Sequence, residues 1–198
     1  TEQAYIDLIE KAQHFIYIEN QFFISNTNQA AKNGVADAIV RRILNAHQKK
    51  QPFRVILIIN QLVIIPGNPQ DLTGYPIQRV AQLQLHTISQ GGTSMLEQLE
   101  KSGINPEDYI SVFSLRSHGK VQGTPITEQI YVHSKMMIID DNILMVGSAN
   151  VNDRSLLGKG DSEVNVRKEL GIFLTGARLL SRIITRFQLR WLDRKSVV

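Results

Sequence analysis

Short apolar runs alternate with amphipathic stretches along this chain. "FIYIENQFFI" (15–24) is rich in β-branched and aromatic residues and reads as a buried strand running into a loop. "NTNQAAKNG" (26–34) is a loop, and "VADAIVRRILNAHQKK" (35–50) has apolar residues at helical spacing. "FRVILIIN" (53–60) reads as a strand buried on both faces, and "PGNPQDLTGYP" (66–76) as a turn-rich loop. Helices are predicted over 77–90 and 93–101, and a strand over "YISVFSL" (109–115). After a polar loop, "RSHGKVQGTPITE" (116–128), come paired strands, "QIYVHSKMMIID" (129–140) and "ILMVG" (143–147), around an Asp141-Asn142 turn. "GARLLSRIITRFQLRWLD" (176–193) reads as a basic amphipathic helix. Strands alternating with helices predict an α/β fold with a mixed sheet flanked by helices.

Composition narrows this picture modestly. The 198 residues suffice for one domain with a sizeable core. The longest apolar run, "VILIINQLVII" (55–65), is broken by Asn60 and Gln61, so no membrane span is expected. The chain opens "TEQAYIDLIEK", without a secretory signal and without an initiator Met, as expected of a processed chain or a piece of something longer. The absence of Cys excludes disulfides, thiol nucleophiles and zinc–thiolate sites. The net charge of +4 suits anionic partners and suits an ordinary basic protein equally well.

The chemistry concentrates in "VHSKMMIIDDNILMVGSAN" (132–150). On a strand, His133 and Lys135 project from the same face. An imidazole attacks phosphorus or carries protons near neutral pH, and an ammonium neutralises phosphate charge. The second strand leaves through Gly147-Ser148-Ala149-Asn150, where small polar side chains, joined by free N–H groups if a helix begins there, would cradle an anion. A His beside a Lys is by itself usually a solvated strand face. The full string H-x-K-x4-D-x6-G-S-x-N fixes six positions, and such a match rarely arises by chance.

That string resembles the HKD motif of the phospholipase D superfamily at every defining position: His133, Lys135, Asp140, Gly147, Ser148 and Asn150. The flanks "IYIENQFF" (16–23), "YISVFSLRSHG" (109–119) and "NVNDRSLLGKGDSE" (150–163) resemble the surroundings of the second HKD motif in the eukaryotic-type enzymes. The resemblance covers about residues 5–166. It implies a single phospholipase D-like lobe over 1–198, with 167–198 divergent or truncated. It also implies hydrolysis of phosphatidylcholine to phosphatidic acid and choline through a phosphohistidine. His133 would be the acid/base, and Lys135, Ser148 and Asn150 would bind phosphate oxygens. Asp140 completes the catalytic motif, although its place at the strand end favours tying down the turn over proton transfer. Glu163 matches the position that orients the motif His; a surface acid is the plainer reading. No cofactor or metal is implied, because paired lysines take the place of a divalent ion.

The resemblance further implies a cytoplasmic protein associated peripherally with the membrane, with phospholipid as substrate and nucleic acid not expected. Arg41, Arg42, Lys49, Lys50 and Arg54 correspond to a region tied to phosphoinositides; a solvated helix face is the simpler reading of those residues. Asn20 and Gln21 either line the mouth of the site or satisfy a strand end. His118 lies in a family-like loop within reach of a headgroup. The enzymes of this branch use two HKD motifs, and this chain has one. His47-Gln48-Lys49 and His118-Gly119-Lys120 are followed by Arg54 and Pro125 where Asp should stand, and His14 and His86 have Ile16 and Ile88 in place of Lys. Three expectations follow: a second lobe acting with a missing first lobe, a single-motif phosphodiesterase or nuclease acting as a homodimer, or an inactive remnant that binds lipid or a partner.

Overall fold

Six strands form one mixed sheet in the computed structural model, which describes residues 1–26, 31–61, 75–158 and 160–169. The strands are β1 (Phe15–Glu19), β2 (Arg54–Ile58), β3 (Ile110–Phe113), β6 (Met136–Ile139), β7 (Ile143–Gly147) and β8 (Asn165–Glu169). Their spatial order is β3-β2-β1-β6-β7-β8. β1, β2 and β3 are parallel, whereas β6, β7 and β8 each run antiparallel to the strand before them in that order. A separate two-stranded ribbon pairs β4 (Arg116–Val121) with β5 (Thr124–Gln129). The helices are α1 (Glu2–Lys11), α2 (Val35–Gln48), α3 (Tyr75–Ile88), α4 (Met95–Lys101) and the single turn α5 (Asp153–Leu156).

Strand alternation sorts the core into two layers. Ile16, Ile18, Val55, Leu57, Met137, Ile139 and Met145 face one side, where Tyr5, Leu8 and Ile9 of α1 and Ile39 and Ile43 of α2 cover them. Tyr17, Ile58 and Ile138 face the other side, with Val132 and the half-buried Phe15, Ile56, Phe113, Leu115, Met136 and Leu144. The helical spacing read in 35–48 is the buried stripe of α2, and Ser94 with Glu97 forms a capping box that starts α4.

Several expectations shift. The strand predicted over 15–24 stops at Glu19, because the chain turns at the buried Asn20, whose Oδ1 accepts from the Val151 and Phe22 amides. The strand predicted over 129–140 is interrupted at 130–135. The β6–β7 turn is centred on Asp140 and Asp141, both at positive φ (53° and 55°), one residue earlier than expected; the Asn142 amide closes it on the Ile139 carbonyl. The polar loop of 116–128 is the β4–β5 ribbon. α1 and β8 were not anticipated. The loop predicted over 66–76 lies outside the described residues except for its last two positions, which open α3, and the helix predicted over 176–193 lies wholly outside them.

Candidate active site

The sheet register puts the motif residues at one end. Glu19, the last residue of β1, pairs with Met136, the first of β6, so His133 and Lys135 lie just beyond the carboxyl end of the parallel strands. The Gly147 amide donates to the Lys135 carbonyl (3.0 Å), which brings the exit of β7, and hence Ser148 and Asn150, beside Lys135. Asn60 positions the segment between β5 and β6. Its Oδ1 accepts from the Val132 amide (2.8 Å) and its Nδ2 donates to the Val132 carbonyl (2.9 Å), as a neighbouring strand would. In sequence, Asn60 showed only as a polar break in an apolar run.

His133 and Lys135 precede the strand and differ in exposure, contrary to the expectation of a shared strand face. His133 is exposed, its ring stacked near Tyr131 (centroids 6.4 Å apart), with no hydrogen bond to the imidazole among the described residues. Lys135 is only 7% exposed. Its ammonium donates to Gln21 Oε1 (3.0 Å) and to the His133 carbonyl (2.6 Å), and Gln21 Nε2 in turn donates to the Tyr131 hydroxyl (2.7 Å). Gln21 therefore belongs to the site, whereas its neighbour Asn20 is a buried structural residue. Both hydrogen-bond partners of the ammonium are neutral, so neither neutralises its positive charge. Glu19 and Ser134 were missed by sequence reading. The buried Glu19 carboxylate accepts from the Tyr17 and Ser134 hydroxyls and so holds the residue between His133 and Lys135.

Glu163 lies on Ser148, not on His133 as expected. Its carboxylate accepts from the Ser148 hydroxyl, which itself accepts from the Val164 amide. The next helix after Gly147–Asn150 is the single turn α5, which begins at Asp153 and is capped by Asn152. The Asn150 Oδ1 is buried without a hydrogen-bond partner among the described residues. Gly147 is required by close approach: a Cβ there would overlap the Asn165 side chain and the Val164 carbonyl. Gly147→Ala should therefore displace β8 and cost about 1–3 kcal/mol, read as a lower urea midpoint with an unchanged slope.

Burial lowers the Lys135 pKa below its ordinary 10.5, and the Glu163 charge opposes part of that shift. Just below pH 10.5 the unfolded chain thus holds a proton that the folded chain has lost. Unfolding takes up that proton, so this residue makes stability rise with pH in that window. Lys135→Met should lose this rise, measured as the difference between the two proteins' urea midpoints across the window.

Asp140 sits at the other end of β6. Its carboxylate accepts from the backbone amides of Gln13, His14 and Phe15 (2.7, 2.7 and 2.8 Å), which anchors the start of β1. That geometry is the structural role favoured above, remote from His133. The basic cluster lies at this same end. Arg42 is buried where the chain enters β1 and β2, donating to the Ala12 and Gln13 carbonyls with the Phe53 ring 4.1 Å beneath it, so it is not available to a ligand as expected. Arg41 pairs with Glu10 (2.9 Å), and Arg54 donates to the Glu107 carbonyl (2.5 Å). Lys49 and Lys50 are exposed.

The model of the family described as Phospholipase D matches residues 1–168, a span that holds every one of these site residues. The chain belongs to the phospholipase D family. It is 47% identical over 169 residues to phospholipase D zeta 2 of Arabidopsis thaliana, covering 83% of this chain and 16% of that protein. It is 44% identical over 168 residues to human phospholipase D1, covering 82% of this chain and 15% of that protein. The chain thus spans about a sixth of the length of these phospholipases D. These relatives are eukaryotic, as the flanks of the motif suggested. Among solved structures it is similar to phosphatidylserine synthase of Haemophilus influenzae, with TM-score 0.47 and 17% identity over 83% of this chain and 30% of that one. Among the described residues no helix is long and apolar enough to cross a membrane.

Proposed function

We propose that this chain supplies the second half of a phospholipase D site that hydrolyses phosphatidylcholine to phosphatidic acid and choline, working with a first HKD lobe. The observation that carries this reading is the pairing of an exposed His133 imidazole with a buried Lys135 ammonium whose side-chain partner is a neutral amide. A single HKD motif provides one histidine, and the reaction uses two.

The histidine of the first lobe attacks phosphorus and the P–O bond to choline breaks. His133, as imidazolium, gives its proton to the leaving oxygen. Neutral His133 then takes a proton from water, whose oxygen attacks phosphorus. The P–N bond breaks, and phosphatidic acid and the free first histidine result. Lys135 and Asn150 bind the nonbridging oxygens as negative charge builds on them. Ser148 joins them once its hydroxyl turns from Glu163 to the phosphate. Release of Glu163 from Ser148 also frees that carboxylate to orient His133. Lys135 and its counterpart in the first lobe serve where other phosphodiesterases use a divalent ion. The protein would meet its substrate as a peripheral protein on the cytoplasmic side of the membrane. Phosphoinositide binding at Arg41, Arg42, Lys49, Lys50 and Arg54 is not part of this proposal, since Arg42 is buried and Arg41 and Arg54 are engaged.

The test is transphosphatidylation. The purified chain is incubated with phosphatidylcholine and a primary alcohol, alone and with the first-lobe fragment of a relative. Phosphatidylalcohol only in the mixture is the expected result. Product from the chain alone, with a dimer in sedimentation, replaces the half-site by a homodimer. No product in either case leaves a lipid- or partner-binding remnant.

A further inference from the structure

Beyond its base the β4–β5 ribbon is exposed on both faces, and an isolated two-stranded ribbon is marginal in water. Register and alternation divide its side chains. Arg116, His118 and Lys120 share one face, opposite Gln129, Thr127 and Pro125, with no acidic residue among them. Val121 and Ile126 lie on the other face near the tip, 55% and 38% exposed, and Glu128 falls on that face only toward the base. Ile126 sits opposite Gly119, so no side chain faces it across the ribbon. The tip turns through Gln122 and Gly123, both at positive φ, and carries no charge beyond Lys120.

The base of the ribbon is tied to the active-site end of the sheet. It leaves the carboxyl end of β3, the end of the sheet where His133 lies. Arg116 donates to Gln61 Oε1 (2.9 Å) at its base, and the Ile130 amide donates to the Leu115 carbonyl (2.9 Å). Three residues separate the last residue of β5 from His133.

We infer that the β4–β5 ribbon is a membrane-docking arm that seats its Val121–Ile126 tip in an anionic phospholipid surface. Val121, Pro125 and Ile126 enter the boundary between headgroups and acyl chains. Lys120 extends its ammonium back to the phosphate layer, and His118 and Arg116 follow it along the ribbon. The charge of this face selects an anionic bilayer over a neutral one. Such docking brings the phosphate plane toward His133; it serves the lipid activity proposed above and rests on that reading.

Vesicle co-sedimentation tests the inference without turnover. The probes are vesicles of phosphatidylcholine alone and of phosphatidylcholine with about one third phosphatidic acid. The wild-type chain should bind the anionic vesicles. The double variant Val121→Asp/Ile126→Asp should lose about tenfold or more in affinity, and Lys120→Gln about fivefold. Circular dichroism should be unchanged, since all three side chains are exposed. With the first-lobe fragment present, turnover of a soluble short-chain phosphatidylcholine should be unaffected in all variants. Equal binding by wild type and double variant overturns the inference, as do absent wild-type binding, equal binding to both vesicle types, or a Val121- and Ile126-dependent dimer in sedimentation. A variant that keeps vesicle binding but no longer complements the first lobe assigns the ribbon to the lobe interface and overturns it as well. Vesicle binding with no turnover of any lipid leaves the arm standing and removes the proposed enzyme.

Discussion

In the reconstituted assay, His133→Ala is expected to lower phosphatidylalcohol formation by roughly 100- to 10,000-fold, the usual scale for removing a positioned acid–base group. The side chain is exposed and has no hydrogen bond to its ring among the described residues, so the fold should be indifferent to its loss. Thermal unfolding should therefore be superimposable on the wild type. The proposal also predicts a dependence on the leaving group. A substrate whose leaving oxygen needs no proton, such as an aryl ester, should suffer far less in the first step. If choline release and aryl release fall equally, His133 is not the acid. Lys135→Met offers a contrast, since it should slow both substrates alike by removing charge from the bound phosphate.

Asp140→Ala should act on the fold rather than on the chemistry. Its carboxylate accepts three backbone amides of 13–15, and its charge faces the buried Arg42 guanidinium. Losing these contacts should cost about 3 kcal/mol, since a charged acceptor contributes more than a neutral one and the amides left behind are partly shielded. For a chain of this size that lowers Tm by roughly 10 °C. Asp140→Asn keeps one acceptor oxygen and should fall between. At a temperature where the variant remains folded, its turnover with the first-lobe fragment should match the wild type. A variant of unchanged Tm that no longer turns over would return Asp140 to the chemistry.

The spacing of His133, Lys135, Asp140, Gly147, Ser148 and Asn150 was legible because it is local: one hairpin, β6 and β7, and the few residues on either side of it hold all six. The mixed sheet was legible in the apolar runs of β1, β2, β6 and β7 and the helical stretches between them. Glu19, Gln21, Asn60 and Tyr131 were harder, because their partners lie about 40 to 115 positions away and polar residues within apolar runs have no single meaning. Gln21 faces the lysine and Asn20 faces the core, a division that depends on how the chain turns after β1. Arg42 looked like its neighbour Arg41, yet one helical step of about 100° carries it from solvent to the Ala12 and Gln13 carbonyls. The β4–β5 ribbon was hidden by its composition, because a strand pair this exposed carries no apolar run to read.

The distance between Lys135 and Asp140 has a consequence for how the motif can vary. The four residues between them are β6 itself, Met136–Ile139, about 13 Å of extended chain. One end is held to the β7 exit through the Lys135 carbonyl, and the other is held to the start of β1 through Asp140. The motif is thus a gauge cut to the width of the sheet. Adding one residue would either carry the carboxylate past the amides of 13–15 or rotate the lysine to the opposite layer. Such an insertion cannot be absorbed by a loop, because no loop separates the two anchors. The length of the gap is therefore as fixed as the residues that bound it, while the four side chains inside it are free to be any apolar set that fills both layers.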